Sequence, residues 1–85
     1  MTIKQELVLQ EIRGERLRQD ALWGGPAHDD ALATEHFLNL IRDRLENRIR
    51  LDLENGHLLD ARRRLVQVAA IAVAAIESMD RKASS

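Results

Sequence analysis

Between Leu65 and Ile76 every residue except Gln67 is apolar, so a helix through this stretch carries hydrophobic surface all the way round instead of along one stripe. Such a helix has to be covered on every side. Two neighbouring helices from one 85-residue chain cannot supply that cover, because a chain of this size buries only about 60% of the surface its unfolded form exposes. The feature predicts a helical bundle completed by another copy of the chain, a homo-oligomer packed through helix 58–81. Ala69, Ala70, Ala72, Ala74 and Ala75 let helix backbones approach closely. An uncovered patch holding Ile71, Val73 and Ile76 would promote aggregation. The apolar run Val68 to Ile76 spans nine residues, about half the length a bilayer span needs, so no membrane helix is expected.

Hydrophobic residues make up 45% of the chain and aromatics 2%, which leaves a core of Leu, Ile, Val and Ala and an all-α fold. The periodicity predicts three helices, 2–22, 34–54 and 58–81, joined by a Trp-Gly-Gly-Pro loop over 23–33, in a single domain 1–85. Thr2 opens the first helix with Gln5 three residues on, and Ile3, Leu7, Val8 and Ile12 share one face. The second carries Phe37, Leu38, Ile41, Leu45 and Ile49 at helical spacing and ends before Gly56. "RKASS" reads as a frayed end. A net charge of -1, from 13 basic and 14 acidic residues, gives no bulk attraction to nucleic acid or an anionic membrane. The absence of cysteine rules out disulfides and thiolate chemistry. With no basic, long-apolar start in "MTIKQELVLQ", a cytoplasmic protein is expected.

The stretch from Arg16 to Asp30 concentrates special chemistry. Gly24 and Gly25 reach backbone angles closed to other residues and leave amides uncovered. Trp23 offers a flat surface for a nucleobase, and Arg16 and Arg18 have the fork that grips phosphate oxygens. Gln19, Asp20, His28, Asp29 and Asp30 add polar ligands or a proton acceptor. These ten residues form the candidate ligand-binding set. A plain turn, with Trp23 capping the core and Asp29 and Asp30 capping a helix, is the structural alternative. His28, His36 and His57 lack a metal-binding spacing, and the serines lie near the C-terminus. The arginine run 62–64 has interleaved acids and no aromatic platform, so nucleic acid is not an expected partner.

"ERLRQDALWGGPAHDD" resembles the E-R-x-R-Q-D-x-K-W-G start of small phage and bacterial proteins, some of which are similar to MazG-like nucleotide pyrophosphohydrolases. "RRRLVQVAAIAVAAIESMDR" resembles the last helix of the same proteins. The resemblance implies an all-α assembly and a nucleotide ligand. In the MazG-like enzymes Mg²⁺ is held by an E-x-x-E pair and a facing E-x-x-D pair. Here Asp43 and Glu46 give "DRLE", and Arg63, Arg64 and Gln67 stand where the facing acids belong. Glu77 and Asp80 repeat the spacing at the helix end. The expected function is a non-enzymatic oligomeric binding module, without a cofactor, that takes a nucleotide-like ligand or a partner protein through the Trp23 loop. The alternative is a divergent Mg²⁺-dependent pyrophosphohydrolase that rebuilds its metal site from Asp20, Asp29, Asp30, Asp43 and Glu46.

Overall fold

The computed structural model describes residues 2–84; Met1 and Ser85, the ends of the expected domain 1–85, lie outside them. The described residues are all-α, with helices α1 (Ile3–Trp23), α2 (Gly25–Asp30), α3 (Thr34–Arg44), a π turn (Leu45–Ile49), α4 (Arg50–Glu54) and α5 (Leu58–Ser84). Because α3, the π turn and α4 run on without a break, they form one rod. The described residues therefore form four rods where the pattern predicts three. The fourth is α2, which occupies the segment expected to be a loop. α5 also continues to Ser84, into the stretch expected to fray.

Local chemistry explains most of these boundaries. Thr2 Oγ1 accepts from the Gln5 amide at 3.1 Å and opens α1. Two consecutive glycines with positive φ, Gly24 at 102° and Gly25 at 71°, close it and reverse the chain into α2. The Gly24 amide donates to Asp20 O at 3.0 Å, and Pro26 follows in the first turn of α2, where its missing N–H costs nothing. α2 is a helix because that proline presets φ and no β-branched residue follows it. Gly56, at φ 74°, makes the tight turn from α4 into α5.

The π turn sets the register of the second rod. A regular helix that turns Phe37, Ile41 and Arg44 inward would bring Arg48 inward next. The wider turn inserts one residue, so Ile49 is buried and Arg48 stays exposed. Leu38 and Leu45, expected on the inner face, are 55% and 41% exposed.

All other elements pack on α5. Its buried face consists of Ala61, Ala70, Ile71, Ala74, Ala75 and Ser78. Ile71, Ala74 and Ala75 join Phe37 in the core, with Leu32, Leu40 and Ile41 against them. Leu65, Val73, Ile76 and Met79 remain exposed on the other side of the same helix. Ile71 is thus a core residue of its own chain rather than part of an uncovered patch. Ion pairs clamp the rods. Arg62 joins α5 to Glu11 of α1, Arg64 joins it to Asp52 of α4 at 2.9 Å, and Arg81 joins it to Asp30 of α2. Near the end of α5, Lys82 Nζ donates to Leu32 O at 2.6 Å. None of the helices is long and apolar enough to cross a membrane among the described residues.

Candidate functional site

Where α1, α2, α3 and α5 meet, they leave a cavity of about 260 Å³ lined by Arg16, Gln19, Trp23, His28, Asp29, Leu32, His36, Phe37, Leu40, Ile71 and Ala74. Phe37, Ile71 and Ala74 are buried and make its floor. Trp23, His28 and His36 are exposed and make its rim. The glycine pair is what places Trp23 there, since the chain has to reverse directly after α1 for α2 to bring His28 and Asp29 back toward the tryptophan. A Cβ on Gly24 would sit 3.4 Å from His28 Cβ as well as demanding a left-handed backbone.

One wall of the cavity is polar. Arg16, only 12% exposed, lies 3.1 Å from Asp20, 3.8 Å from Asp29 Oδ2 and 3.5 Å from Glu77. His28 Nδ1 is 3.5 Å from the other oxygen of Asp29. Gln19 is 2% exposed and Asp29 5%. The Gln19 amide nitrogen donates to the carbonyl of Gln67 at 3.4 Å. A carbonyl can only accept, so the amide is oriented with its nitrogen, not its oxygen, toward Gln67. Behind Asp29, the buried Ser78 hydroxyl donates to the Asp29 carbonyl at 3.5 Å and ties α2 to α5.

Buried polar groups nearly always find partners. Among the described residues, the buried side-chain atoms without a hydrogen-bond partner are Arg16 Nε, Gln19 Oε1 and Asp29 Oδ2; Arg16 Nε still pairs with Glu77 at 3.5 Å and Asp29 Oδ2 with Arg16 at 3.8 Å. All three belong to residues that line this cavity.

Five of the ten residues singled out in the sequence line the cavity: Arg16, Gln19, Trp23, His28 and Asp29. Asp20 stands behind Arg16 as its ion-pair partner, and Gly24 and Gly25 build the turn. Arg18 and Asp30 point elsewhere. The Arg18 guanidinium is held by Glu15 at 2.7 Å, which raises its pKa through that hydrogen bond. The Asp30 carboxylate is gripped by Arg81, whose hydrogen bond lowers the Asp30 pKa. The phosphate-gripping role expected of Arg16 and Arg18 meets the same obstacle at both, since carboxylates already occupy their forks. His36, Phe37, Leu40, Ile71 and Ala74 were not singled out. Their one advance signal was helical spacing, which marks a core and gives no sign that part of it stays open.

No family model, curated protein or solved structure matches the chain. The site is therefore read from its own geometry. Among the described residues, the one set of three metal-ligating side chains with donor atoms within 4.8 Å of one another is Asp52, His57 and Asp60, at the turn into α5. Both of its carboxylates already bond arginines, Arg64 and Arg63 respectively. Asp20, Asp29, Asp30, Asp43 and Glu46 form no such set, so the acids needed for a rebuilt Mg²⁺ centre do not converge. Asp43 instead accepts from Asn47 at 2.8 Å on its own rod.

Proposed function

We propose that the protein is a non-enzymatic, self-associating helical module that binds a planar heterocyclic ligand, of the kind found in nucleotides, in the cavity beneath Trp23. The observation that carries this reading is an open cavity with one polar wall, of Arg16, Gln19, His28 and Asp29, whose other walls are apolar and aromatic. Leaving a buried polar group without a partner costs about 1–3 kcal/mol, and Gln19 Oε1 is left so beside the cavity. An apolar pocket with a few convergent polar groups is also the usual form of a small-molecule site. The volume, about 260 Å³, falls just below the roughly 300–1,000 Å³ of sites for drug-sized ligands. It fits a ring system, with any substituent leaving past the rim.

Trp23 is the single tryptophan, so its emission reports on the cavity directly. Titrating the protein with a panel of nucleobases, nucleosides and nucleotides is expected to change Trp23 emission saturably for at least one member, and Gln19→Met is expected to abolish the response. A panel in which no member perturbs Trp23 overturns the proposal.

A further inference from the structure

A second cavity, of about 190 Å³, opens between α1 and the first half of α5, lined by Val8, Ile12, Arg62, Leu65, Val66 and Ala69. Its four α5 residues stand at i, i+3, i+4 and i+7. Those are the corners of the hole that takes one side chain of a facing helix in knobs-into-holes packing. Past the hole, the outer stripe of α5 runs on from Leu65 and Ala69 through Ala72, Ile76 and Met79, at alternating spacings of four and three. Leu65, Ile76 and Met79 are each at least half exposed, with the exposed Val73 beside them. The chain as a whole exposes 6046 Å², roughly 900 Å² more than a monomer of its mass, and a standard interface covers about 800 Å² of each partner.

We infer that α5 pairs antiparallel with α5 of a second copy, about a two-fold axis between Ala69 and Ala72, so that Ile76 of each copy fills the hole at Leu65 of the other. This rests on the self-association in the proposed function and gives it a direction and a register. The stripe matches itself when turned end for end: Leu65 meets Ile76, and Ala69 meets Ala72, whose small side chains let the two helices close up. Val8 and Ile12 back the knob from α1, and Leu65 in turn enters the matching hole of Val73, Ile76, Glu77 and Asp80. Charge selects the direction. Arg63, Arg64, Arg81 and Lys82 are engaged by Asp60, Asp52, Asp30 and the Leu32 carbonyl of their own chain. The stripe itself then carries Arg62, paired with Glu11, at one end, and Asp80 with Glu77, which Arg16 holds, at the other. A parallel pair would set Arg62 against Arg62 and Asp80 against Asp80. The antiparallel pair sets Arg62 beside Asp80, and a guanidinium has N–H donors enough for both Glu11 and Asp80.

The chain has no cysteine, so introduced cysteines report which positions meet. Light scattering of the intact protein is expected to give twice the 9.7 kDa chain mass. On oxidation, a mixture of Ala69→Cys and Ala72→Cys is expected to give at least about fivefold more disulfide-linked dimer than either variant alone, because a disulfide needs Cα atoms within about 7 Å. A parallel pair would instead link each variant to itself. Asp80→Arg places a cation beside Arg62 of the other copy. It is expected to raise the dimer dissociation constant about fivefold at low salt and less at high salt, with the circular dichroism unchanged. Asp80 is exposed, so this variant decides the matter even where a cysteine variant loses helix. Linking of either variant to itself at the level of the mixture, or an Asp80→Arg variant that associates as tightly as the wild type, overturns the arrangement while self-association stands. A monomeric wild type removes self-association and the arrangement together.

Discussion

Trp23 is 38% exposed at the rim of the cavity, so it does not fill the core in the way a capping tryptophan would. Truncating a fully buried aromatic costs about 3–5 kcal/mol. We expect Trp23→Ala to cost clearly less in chemical denaturation while ligand binding falls sharply; a loss of the full buried-aromatic size would make Trp23 structural. Arg18 offers the complementary control, since its guanidinium is paired with Glu15 outside the cavity. Arg18→Ala is expected to leave binding unchanged, and a tenfold loss would show that the cavity does not account for recognition. At this scale the sequence was informative about residue types and silent about direction. The density of unusual side chains between Arg16 and Asp30 marked the segment. Which of them turn inward depends on the glycine reversal and on partners such as Glu15 and Arg81, up to 51 positions away. No local pattern records that.

At the scale of elements, the four rods are joined by ion pairs whose titration can be followed. Arg81 lowers the Asp30 pKa in the fold from its ordinary value of 3.8, and Arg62 does the same for Glu11. A carboxylate with a depressed folded pKa contributes stability that is complete above its unfolded value and disappears as pH falls through the folded one. The melting-temperature difference between the wild type and Arg81→Gln is therefore expected to be present near neutral pH and to shrink below about pH 4. A difference that persists unchanged in acid would contradict the pairing. α5 carries the other lesson at this scale. Its continuous apolar run was legible as a helix, and so was the need for cover. How one chain divides it was not, because an all-round apolar sequence has no phase. The structure uses Ala70, Ile71, Ala74 and Ala75 for its own core and leaves Leu65, Val73, Ile76 and Met79 outside. Likewise, the 3.6-residue period could not show the phase shift that the π turn makes in the middle of the rod, which turns Ile49 inward and leaves Arg48 outside.

The whole molecule is open for its size. A compact 85-residue domain has a radius of gyration of about 12 Å, and this chain measures 13.9 Å, with extents of 44 × 31 × 21 Å. Its accessible surface is 6046 Å², whereas a monomer of this mass exposes about 5,100 Å². The excess is close to the roughly 800 Å² that each partner buries in a standard interface. Ile3, Leu7, Val8 and the outer stripe of α5 contribute to it, which favours a second copy as the cover. Light scattering is expected to give a multiple of the 9.7 kDa chain mass, and Ile76→Glu to reduce it without loss of helix, as read by circular dichroism. A monomeric wild type at micromolar concentration would contradict self-association. The central claim, that the polar wall is kept for a ligand and not for the fold, can be tested without knowing the ligand. Gln19→Met replaces the buried amide with an apolar side chain of similar shape and removes one unpartnered acceptor at the cost of a long 3.4 Å hydrogen bond. Relief of about 1 kcal/mol moves the melting temperature of a domain this size by about 4–8 °C. At equal protein concentration and without ligand, Gln19→Met is expected to melt at or above the wild-type temperature; a fall of several degrees would show that the amide serves the fold and would contradict the account.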